Sequence, residues 1–460
     1  MEYTELADYE VYAGAVTFWR ARSSTPCADA VDGRPLSPQH EKHVTRAPDP
    51  DEPSWIGTVF EIQHEFDAEA VRRTLLAWHA KHESFRTLVT RDDSGLHRAT
   101  YRPENLHLAA RDAGSYDTVE RVYDVVSRYF DRTVRPDSWP HLVAATVVPT
   151  NQEDGPRFLL AFAADHSVMD AYSQVIAVSE LDQLYTAALA GEPLVTEPAA
   201  SYVDFSVAER AHAAVADHGH ETTRRWLDFL EPDEPRFPAA PFPNEEPADL
   251  TLPQRSISRW LVGPEVSDQI HQHARSLGFG MQPAVLVALA EAMSTATGTA
   301  DPFKFVMPMH TRTPEYTASM GWFVGISPFT LQLAGASGLP EKLRRAAEAS
   351  AHIRSDAQIP FATIADLLGI DSSPRFVVSY VDLRHLPGAA QFDAVRARAL
   401  RSIRYSDDEF YFWVVRARGG INVSVRHPNN ATATAGVERY LQAFTTVLQE
   451  LATQPEPALV

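Results

Sequence analysis

A proline-rich segment near the middle of the chain, residues 231–253 (EPDEPRFPAAPFPNEEPADLTLP), limits what the chain can fold into. Its prolines stand at positions 232, 235, 238, 241, 243, 247 and 253. Proline lacks a backbone N–H and fixes φ, so this density of prolines excludes both a helix and a central strand. We therefore expect an extended crossover here, with a separately patterned region on either side.

Strand and helix patterns alternate on the amino-terminal side of this crossover. Short runs of β-branched and aromatic residues predict strands, and longer runs with apolar residues at helical spacing predict helices. The predicted strands are 58–66, 141–149 and 157–165, and the predicted helices are 67–82, 173–191 and 202–230. The last two strands are apolar throughout, so we expect them to be neighbours in a buried sheet.

A second series of strands and helices follows the crossover. The predicted strands are 256–263, 303–310, 375–383 and 411–427, and the predicted helices are 265–278, 283–298 and 436–453. This alternation predicts an α/β fold with mixed sheets. Because 460 residues are more than one compact core usually holds, we expect two lobes. The expected lobes span residues 1–200 and 256–460, and residues 201–255 form a helix and the crossover between them.

Charge and cysteine content narrow the class of protein. The net charge is −20, which disfavours contact with phosphate backbones, so we expect no nucleic-acid partner. Cys27 is the single cysteine, so no disulfide can form within the chain. The first ten residues are acidic and lack the basic and apolar regions of a signal peptide, and no apolar run approaches a membrane helix. These features predict a soluble cytoplasmic protein that does not bind a membrane.

Several common catalytic motifs are absent from the sequence. It contains no G-x-x-x-x-G-K-[ST], no strand-associated G-x-G-x-x-G, no G-x-S-x-G and no H-E-x-x-H. A phosphate cradle, a hydrolase elbow and a zinc-peptidase site are therefore not expected. His218 and His220 are close in sequence, but a polar loop explains them better than metal binding does, so we predict no metal site.

The candidate catalytic residue lies in ADHSVMDAY, residues 164–172, which follows the apolar run RFLLAFA. His166 and Asp170 have the spacing H-x-x-x-D at the end of a predicted buried strand. A neutral imidazole, with an ordinary pKa near about 6.5, is suited to act as a general base at cellular pH. The spacing alone leaves a second interpretation open, in which His166 satisfies a turn and Asp170 caps the following helix.

The same spacing occurs once more, at His352 and Asp356. These residues lie in LRRAAEASAHIRSDAQ, a polar and alanine-rich stretch with helical character. We predict that they form an exposed pair four residues apart on a helix, with no role in function.

Four segments resemble those of a known family. KHESFRTLV (81–89) resembles the RHExLRTxF signature of condensation domains of nonribosomal peptide synthetases, and PLSPQHEKH (35–43) is similar to their LSxxQ region. MHTRTPEYTASMGWFVGISPFTLQL (309–333) and FVVSYVDL (376–383) are more similar to the polyketide-associated, or Pap-type, acyltransferases. The segments occur in the family's order. The chain therefore resembles a free-standing condensation-type acyltransferase of the chloramphenicol-acetyltransferase-like superfamily.

This resemblance implies a fold and a set of site residues. The expected fold has two chloramphenicol-acetyltransferase-like lobes in a V, with an HHxxxDG loop in a central tunnel. His166 matches the family's catalytic base, and Asp170 matches the motif aspartate, which an arginine holds in place. Arg312, in HTRTPE, is the matching arginine, although a surface position is the alternative for it. Asp170 and Arg312 are then structural supports of the site.

The chain departs from the family's motif at two positions. Asp165 stands where the first motif histidine is expected, and it would either raise the pKa of His166 or support the loop. Ala171 replaces the motif glycine, and its methyl group would narrow the tunnel. The resemblance also places further residues in the region that lines the tunnel or the lobe interface, with core packing as the alternative. They are Gly321, Trp322, Phe323 and Gly325.

The resemblance implies direct acyl transfer from a thioester to a hydroxyl group, which forms an ester in natural-product biosynthesis. No bound cofactor is expected. The donor carries a phosphopantetheine thioester, either on an acyl or peptidyl carrier protein that binds in trans or on coenzyme A, and the acceptor is a small alcohol or amine. Amide formation, hydrolysis or epimerisation, and a catalytically silent carrier-docking protein remain alternatives. RARALRSIR (396–404) is a candidate surface for an acidic carrier, or else a solvated charged run.

Overall fold

The computed structural model describes residues 2–4, 6–46, 53–93, 95–151, 155–194, 197–231, 236–242, 249–298, 301–370 and 373–453. Within these ranges the strands are β1 Glu2–Thr4, β2 Gly14–Ser23, β3 Val31–Asp32, β4 Trp55–Ile62, β5 Thr87–Asp92, β6 Gly95–Thr100, β7 Leu106–Tyr116, β8 Leu142–Pro149, β9 Phe158–Asp165, β10 Arg255–Val262, β11 Phe303–His310, β12 Val324–Leu331, β13 Phe376–Asp382, β14 Arg398–Arg401, β15 Phe410–Ala417 and β16 Gly420–His427. The helices are α1 Pro38–Thr45, α2 Ala68–Lys81, α3 Val119–Thr133, α4 Ala171–Leu189, α5 Tyr202–Ala213, α6 Glu221–Phe229, α7 Pro264–Ser276, α8 Met281–Thr297, α9 Gly338–Ala349, α10 Ile353–Ala357, α11 Phe361–Leu368 and α12 Ala431–Thr453. The fold is mixed α/β, as predicted.

A seven-stranded sheet, in the order β1-β14-β4-β9-β8-β2-β7, carries the candidate catalytic segment at the end of β9. The prediction that 141–149 and 157–165 are neighbours is confirmed, because β8 and β9 pair antiparallel over Leu142–Val147. All eight residues of β9 are buried, with α2 and α4 packed over one face of the sheet. The sheet thus holds the residue before His166 rigidly in place.

A six-stranded sheet has the order β10-β16-β15-β13-β11-β12. Its strands β11, β13 and β15 run parallel, so their carboxyl ends share one edge, where α/β proteins place functional groups. Arg312 follows the end of β11 by two residues. Helices α8 and α12 cover this sheet with apolar side chains. Among the described helices none is alone long and apolar enough to cross a membrane, and α7 with α8 meets that test only as a pair bent by 108°.

Strand β14 comes from the carboxyl-terminal half of the chain but pairs in the seven-stranded sheet. It lies between β1 and β4, with Arg398 opposite Val59 in the antiparallel pairing to β4. Leu383, Phe392 and Ala399 likewise pack in the core beneath that sheet. The lobe boundaries at 200 and 256 stay a prediction. They assign β14 to the carboxyl-terminal lobe, although it pairs with strands of the amino-terminal part.

The candidate carrier-binding segment, RARALRSIR, contains this strand and does not form a basic surface. Arg396 pairs with Glu61 at 2.7 Å, and the Arg401 side chain lies over the ring of Trp413 at 4.2 Å. Arg401 is only 5% exposed. The expectation of a docking patch or a solvated charged run is wrong, because long-range strand pairing buries most of the segment.

Two other segments differ from their predicted forms. Residues 202–230 form two helices, α5 and α6, because the backbone turns at Asp217, whose carboxylate accepts a hydrogen bond from Gly219 N. Residues 411–427 form a hairpin of β15 and β16, and Gly420 after the turn has φ +118°, which favours glycine. In the proline-rich crossover, residues 236–242 have neither helix nor strand, whereas 232–235 and 243–248 lie outside the described residues.

A buried carboxyl group on α5 makes stability depend on pH. Burial raises the pKa of Glu209 from 4.5 to about 7, although a hydrogen bond with Ser37 and the charge of Arg210 oppose this. The folded state therefore favours the protonated acid, and its stability decreases as pH rises from about 4.5 through about 7. We expect Glu209→Gln to stabilise the protein more at pH 8 than at pH 5, by about 2 kcal/mol in the free energy of unfolding.

Denaturant unfolding of both proteins at the two pH values measures this difference. Glu450→Gln, at an exposed position near the end of α12, controls for the loss of one negative charge. An effect of Glu209→Gln that is equal at pH 5 and pH 8 would show that Glu209 is ionised in the folded protein throughout.

Candidate active site

His166 begins a 3₁₀ turn, His166–Val168, directly after β9. Asp165, the last residue of β9, accepts a hydrogen bond from Ser167 N at 2.9 Å and so caps this turn. Asp170 then caps α4 by accepting a hydrogen bond from Ser173 N at 2.8 Å. Side-chain caps of this kind satisfy free backbone N–H groups. The two aspartates therefore fix the backbone on both sides of His166.

Asp170 and Arg312 form a buried ion pair. Arg312 Nη1 and Nη2 donate to the two carboxylate oxygens of Asp170 at 2.5 and 2.9 Å, and the two side chains are 2% and 0% exposed. Although burial alone would raise the pKa of Asp170, the charge and hydrogen bonds of Arg312 lower it. Arg312 also donates to Ser173 Oγ at 2.8 Å. Arg312 is therefore not a surface residue, and it joins the end of β11 to the start of α4.

Aromatic rings enclose this ion pair. The guanidinium of Arg312 lies 4.5 Å from the ring centroid of Tyr172 and 4.3 Å from that of Phe323. Phe323 N donates to Asp170 Oδ2 at 3.0 Å. The surrounding rings exclude water, which strengthens charge-assisted hydrogen bonds. The carboxylate of Asp170 is thus occupied by Arg312 and by the backbone N–H groups of Ser173 and Phe323.

The other residues predicted for the tunnel region occupy different environments. Phe323 is 0% exposed and packs with Tyr202, so core packing describes it. A Cβ atom on Gly321 would lie 2.6 Å from the ring of Tyr202, and one on Gly325 would collide with the carbonyl oxygen of Ala357. The two glycines are therefore required for close packing. Ala171, the first residue of α4, and Trp322 are half-buried, and they remain candidates for contact with substrate.

His166 itself is half-buried, and its ring packs on the indole of Trp322. The ring centroids are 4.5 Å apart with an angle of 42° between the planes. Burial lowers the pKa of His166, and the positive charge of His43 adds to this effect, while its own backbone carbonyl opposes it. The imidazole is therefore neutral near pH 7 and can accept a proton.

Asp165 binds a second histidine, which sequence analysis did not identify. Nε2 of His43, on α1, lies 3.1 and 3.2 Å from the carboxylate oxygens of Asp165. Burial alone would raise the pKa of Asp165, but the charge and hydrogen bond of His43 lower it. Conversely, burial would lower the pKa of His43, and Asp165 raises it above the ordinary value. Asp165 thus forms an ion pair with His43.

A signal for this pair exists in the sequence, although the partner cannot be read from it. An acidic residue at the end of a buried apolar strand requires a partner, since an unpaired buried carboxylate is strongly unfavourable. His43 is the last residue of PLSPQHEKH (35–43), which the resemblance identifies, but no local pattern pairs it with Asp165, 122 residues away.

The second H-x-x-x-D motif proves to be a buried structural contact. Asp356 is 1% exposed and accepts hydrogen bonds from Arg225 Nε at 2.9 Å and Thr222 Oγ1 at 2.9 Å. His352 is exposed at the start of α10. The prediction of an exposed pair is wrong for Asp356, because α6 packs its arginine against α10. This contact joins α6 to α10, and Ser327 on β12 also donates to Asp356 at 3.4 Å.

The segment KHESFRTLV (81–89) contacts both α4 and the residues that precede Trp322. His82 Nε2 lies 2.9 Å from Glu180 on α4, and Met320 N donates to His82 Nδ1 at 3.4 Å. Arg86 donates to the carbonyl of Tyr101 at 2.6 Å. The segment therefore links α2, α4 and the residues before Trp322.

The predicted lack of a metal site stays a prediction. Among the residues that the structure describes, no group of three or more His, Cys, Asp or Glu side chains is arranged to hold a metal ion. His220 instead caps α6 by accepting a hydrogen bond from Thr222 N at 3.3 Å.

Comparisons with known proteins agree on one family. A family model described as "Condensation domain" matches residues 43–459. Acyltransferase PapA3 of Mycobacterium tuberculosis is 26% identical over 309 residues, which cover 64% of this chain and 64% of that protein. From the same organism, 2'-acyl-2-O-sulfo-trehalose (hydroxy)phthioceranyltransferase PapA1 is 26% identical over 303 residues, 64% of this chain and 58% of that protein.

A solved structure described as "PapA2 acyl transferase" has the same fold. It superposes with a TM-score of 0.85 at 20% sequence identity and covers 99% of this chain and 100% of that one. The chain spans less than two thirds of the length of the curated acyltransferases that it matches in sequence.

Proposed function

Because the chain belongs to the condensation-domain family, we propose that it is an acyltransferase that moves an acyl group from a thioester to a hydroxyl acceptor and forms an ester. One observation carries the proposal. His166 is half-buried with a pKa that burial lowers, and the residue before its turn, Asp165, and the residue after it, Asp170, are held by His43 and by Arg312. A base held in this way is suited to a single proton transfer.

In the proposed reaction His166 takes the proton of the acceptor hydroxyl as its oxygen attacks the thioester carbonyl. A tetrahedral intermediate forms, the C–S bond then breaks, and the departing sulfur receives the proton from His166. No covalent acyl-enzyme is needed, because a thioester is already activated. Base catalysis of this kind contributes about 10²- to 10⁴-fold, and the remainder comes from holding the two substrates together.

The names of the relatives support a hydroxyl acceptor over an amine. PapA1 is named as a transferase that acts on a trehalose derivative, and trehalose is a sugar that offers hydroxyl groups. The donor is proposed to carry its acyl group on a phosphopantetheine thioester, either on a carrier protein that binds in trans or on coenzyme A. Asp170 and Arg312 are proposed to support the loop without touching substrate.

Incubation with defined donors and acceptors tests the proposal. The purified chain is mixed with an acyl carrier-protein thioester or an acyl-coenzyme A, together with a panel of alcohols and amines, and the products are identified by mass spectrometry. Ester formation that depends on His166 supports the proposal. Amide formation alone would change the acceptor class, and free acid without an acceptor would indicate hydrolysis. Carrier binding without any product would indicate a docking protein.

A further inference from the structure

Trp322 lies between two histidine side chains. Its ring centroid is 4.5 Å from that of His166 and 5.4 Å from that of His43, which meets it edge-on at 82°. His43 in turn binds the carboxylate of Asp165, and Asp165 is the residue before His166. The four residues therefore form a closed ring of contacts around the candidate base.

We propose that His43, Asp165 and Trp322 form a positioning unit that fixes the ring of His166 and keeps its surroundings electrically neutral. Asp165 stands where the family's motif has its first histidine, and His43 reaches it from α1. His43 comes from α1, so the unit ties this helix to β9. The role in catalysis rests on the proposed function, whereas the effect on the charge state of His166 does not.

The charged groups around His166 cancel in pairs. His43, Asp165 and Asp170 act on His166, and Arg312 neutralises Asp170. The ion pair has further neighbours, because His141 and the amide of Ser167 act on Asp165, and Arg404 acts on His43.

One more titratable group lies near this ion pair. His40 is 0% exposed, and burial holds its pKa well below the ordinary value, so it remains neutral. No hydrogen bond to its ring nitrogens is found among the described residues. Burial also lowers the pKa of His141, whereas Asp165 raises the pKa of His43, so among these histidines His43 is the one favoured to carry the charge that balances Asp165.

A double-mutant cycle separates this charge effect from packing. His43→Gln keeps a hydrogen-bond donor for Asp165 but leaves an unbalanced carboxylate beside His166, which should raise the pKa of His166. The quantity to compare is the ratio of kcat/KM at pH 6 to kcat/KM at pH 8. We expect this ratio to be about 10-fold lower in His43→Gln than in the wild type. In His43→Gln/Asp165→Asn the site is neutral again, and the ratio should return to within about threefold of the wild type.

The matched control is His97→Gln, because His97 pairs with Asp92 at 3.0 Å on the exposed β5–β6 hairpin. It should leave the pH profile of kcat/KM unchanged. Equal losses at both pH values in His43→Gln, without recovery in the double variant, would show packing alone and overturn the proposal. His43→Asn provides a second variant if His43→Gln does not fold.

A measurement independent of turnover decides the question even if no acyl transfer is found. The imidazole resonances of histidine-labelled protein are followed by NMR during a pH titration, and His166 is assigned by its absence in His166→Ala. We expect the midpoint for His166 to rise in His43→Gln and to return in the double variant. An unchanged midpoint in His43→Gln would overturn the proposed charge effect.

Two substitutions of Trp322 test whether its ring positions His166. Trp322→Phe keeps a ring between the two histidines, whereas Trp322→Ala removes it. We expect kcat to fall about 10-fold or more in Trp322→Ala and to be largely kept in Trp322→Phe, with the pH profile little changed in both. Equal kcat values in the two variants would show that the ring of Trp322 does not position His166.

Discussion

Replacing His166 with alanine is expected to lower kcat by about 10²- to 10⁴-fold, because the variant has no group to take the proton of the acceptor. The substitution should change the free energy of unfolding by no more than about 1–2 kcal/mol, since the side chain is half-buried and holds no buried charge. Product formation measured by mass spectrometry and urea unfolding give the two quantities.

The control for this experiment is His310→Ala. His310 is exposed at the end of β11, with its ring centroid 6.4 Å from that of Tyr172, so it is a histidine near the same loop. We expect this variant to keep most of its activity. Full activity in His166→Ala would show that His166 is not the base. An equal loss in both variants would point to a general disturbance of the loop.

Replacing Arg312 with methionine is expected to lower the free energy of unfolding by about 3–5 kcal/mol. The reason is electrostatic, since Asp170 is 0% exposed and its carboxylate would lose the charge that balances it. Activity should fall as well, because Arg312 ties α4 to the segment after β11 and so fixes the loop of His166. Urea unfolding followed by circular dichroism measures the loss of stability.

A second substitution tests this explanation. In Asp170→Asn/Arg312→Met the unpaired charge is gone, so part of the lost stability should return. Arg259→Met serves as the control, because Arg259 and Glu438 form a two-pronged pair on the surface, which we expect to contribute about 0–1 kcal/mol. If Arg312→Met destabilises the protein no more than Arg259→Met does, the Asp170 ion pair is not a structural support.

Local patterns predicted most of the regular structure. The helix over 67–82 is present as α2, with Asp67 as its cap, because apolar spacing and a capping residue act within a few positions. Strand β14 was missed for the opposite reason. Its basic sequence resembles a solvated loop, and its place in the sheet is decided by pairing with β4, more than 300 positions earlier.

The same distinction applies to the site. His166, Asp170 and Arg312 could be found because their spacing and neighbouring residues match a family motif. The partner of Asp165 could not, since His43 is brought to it by the packing of α1 against distant elements. Asp356 shows the limit of spacing alone, because its H-x-x-x-D motif is the same as that of Asp170 although its surroundings are different.

The insertion of β14 between β1 and β4 has a consequence for synthesis on the ribosome. Until residues 398–401 leave the exit tunnel, β4 has a neighbour on one side only, β9, and its other edge exposes unpaired backbone groups. Exposed edges of this kind recruit other chains. The amino-terminal half therefore cannot complete its sheet until β14 has been synthesised, and β4 keeps one unpaired edge for most of translation.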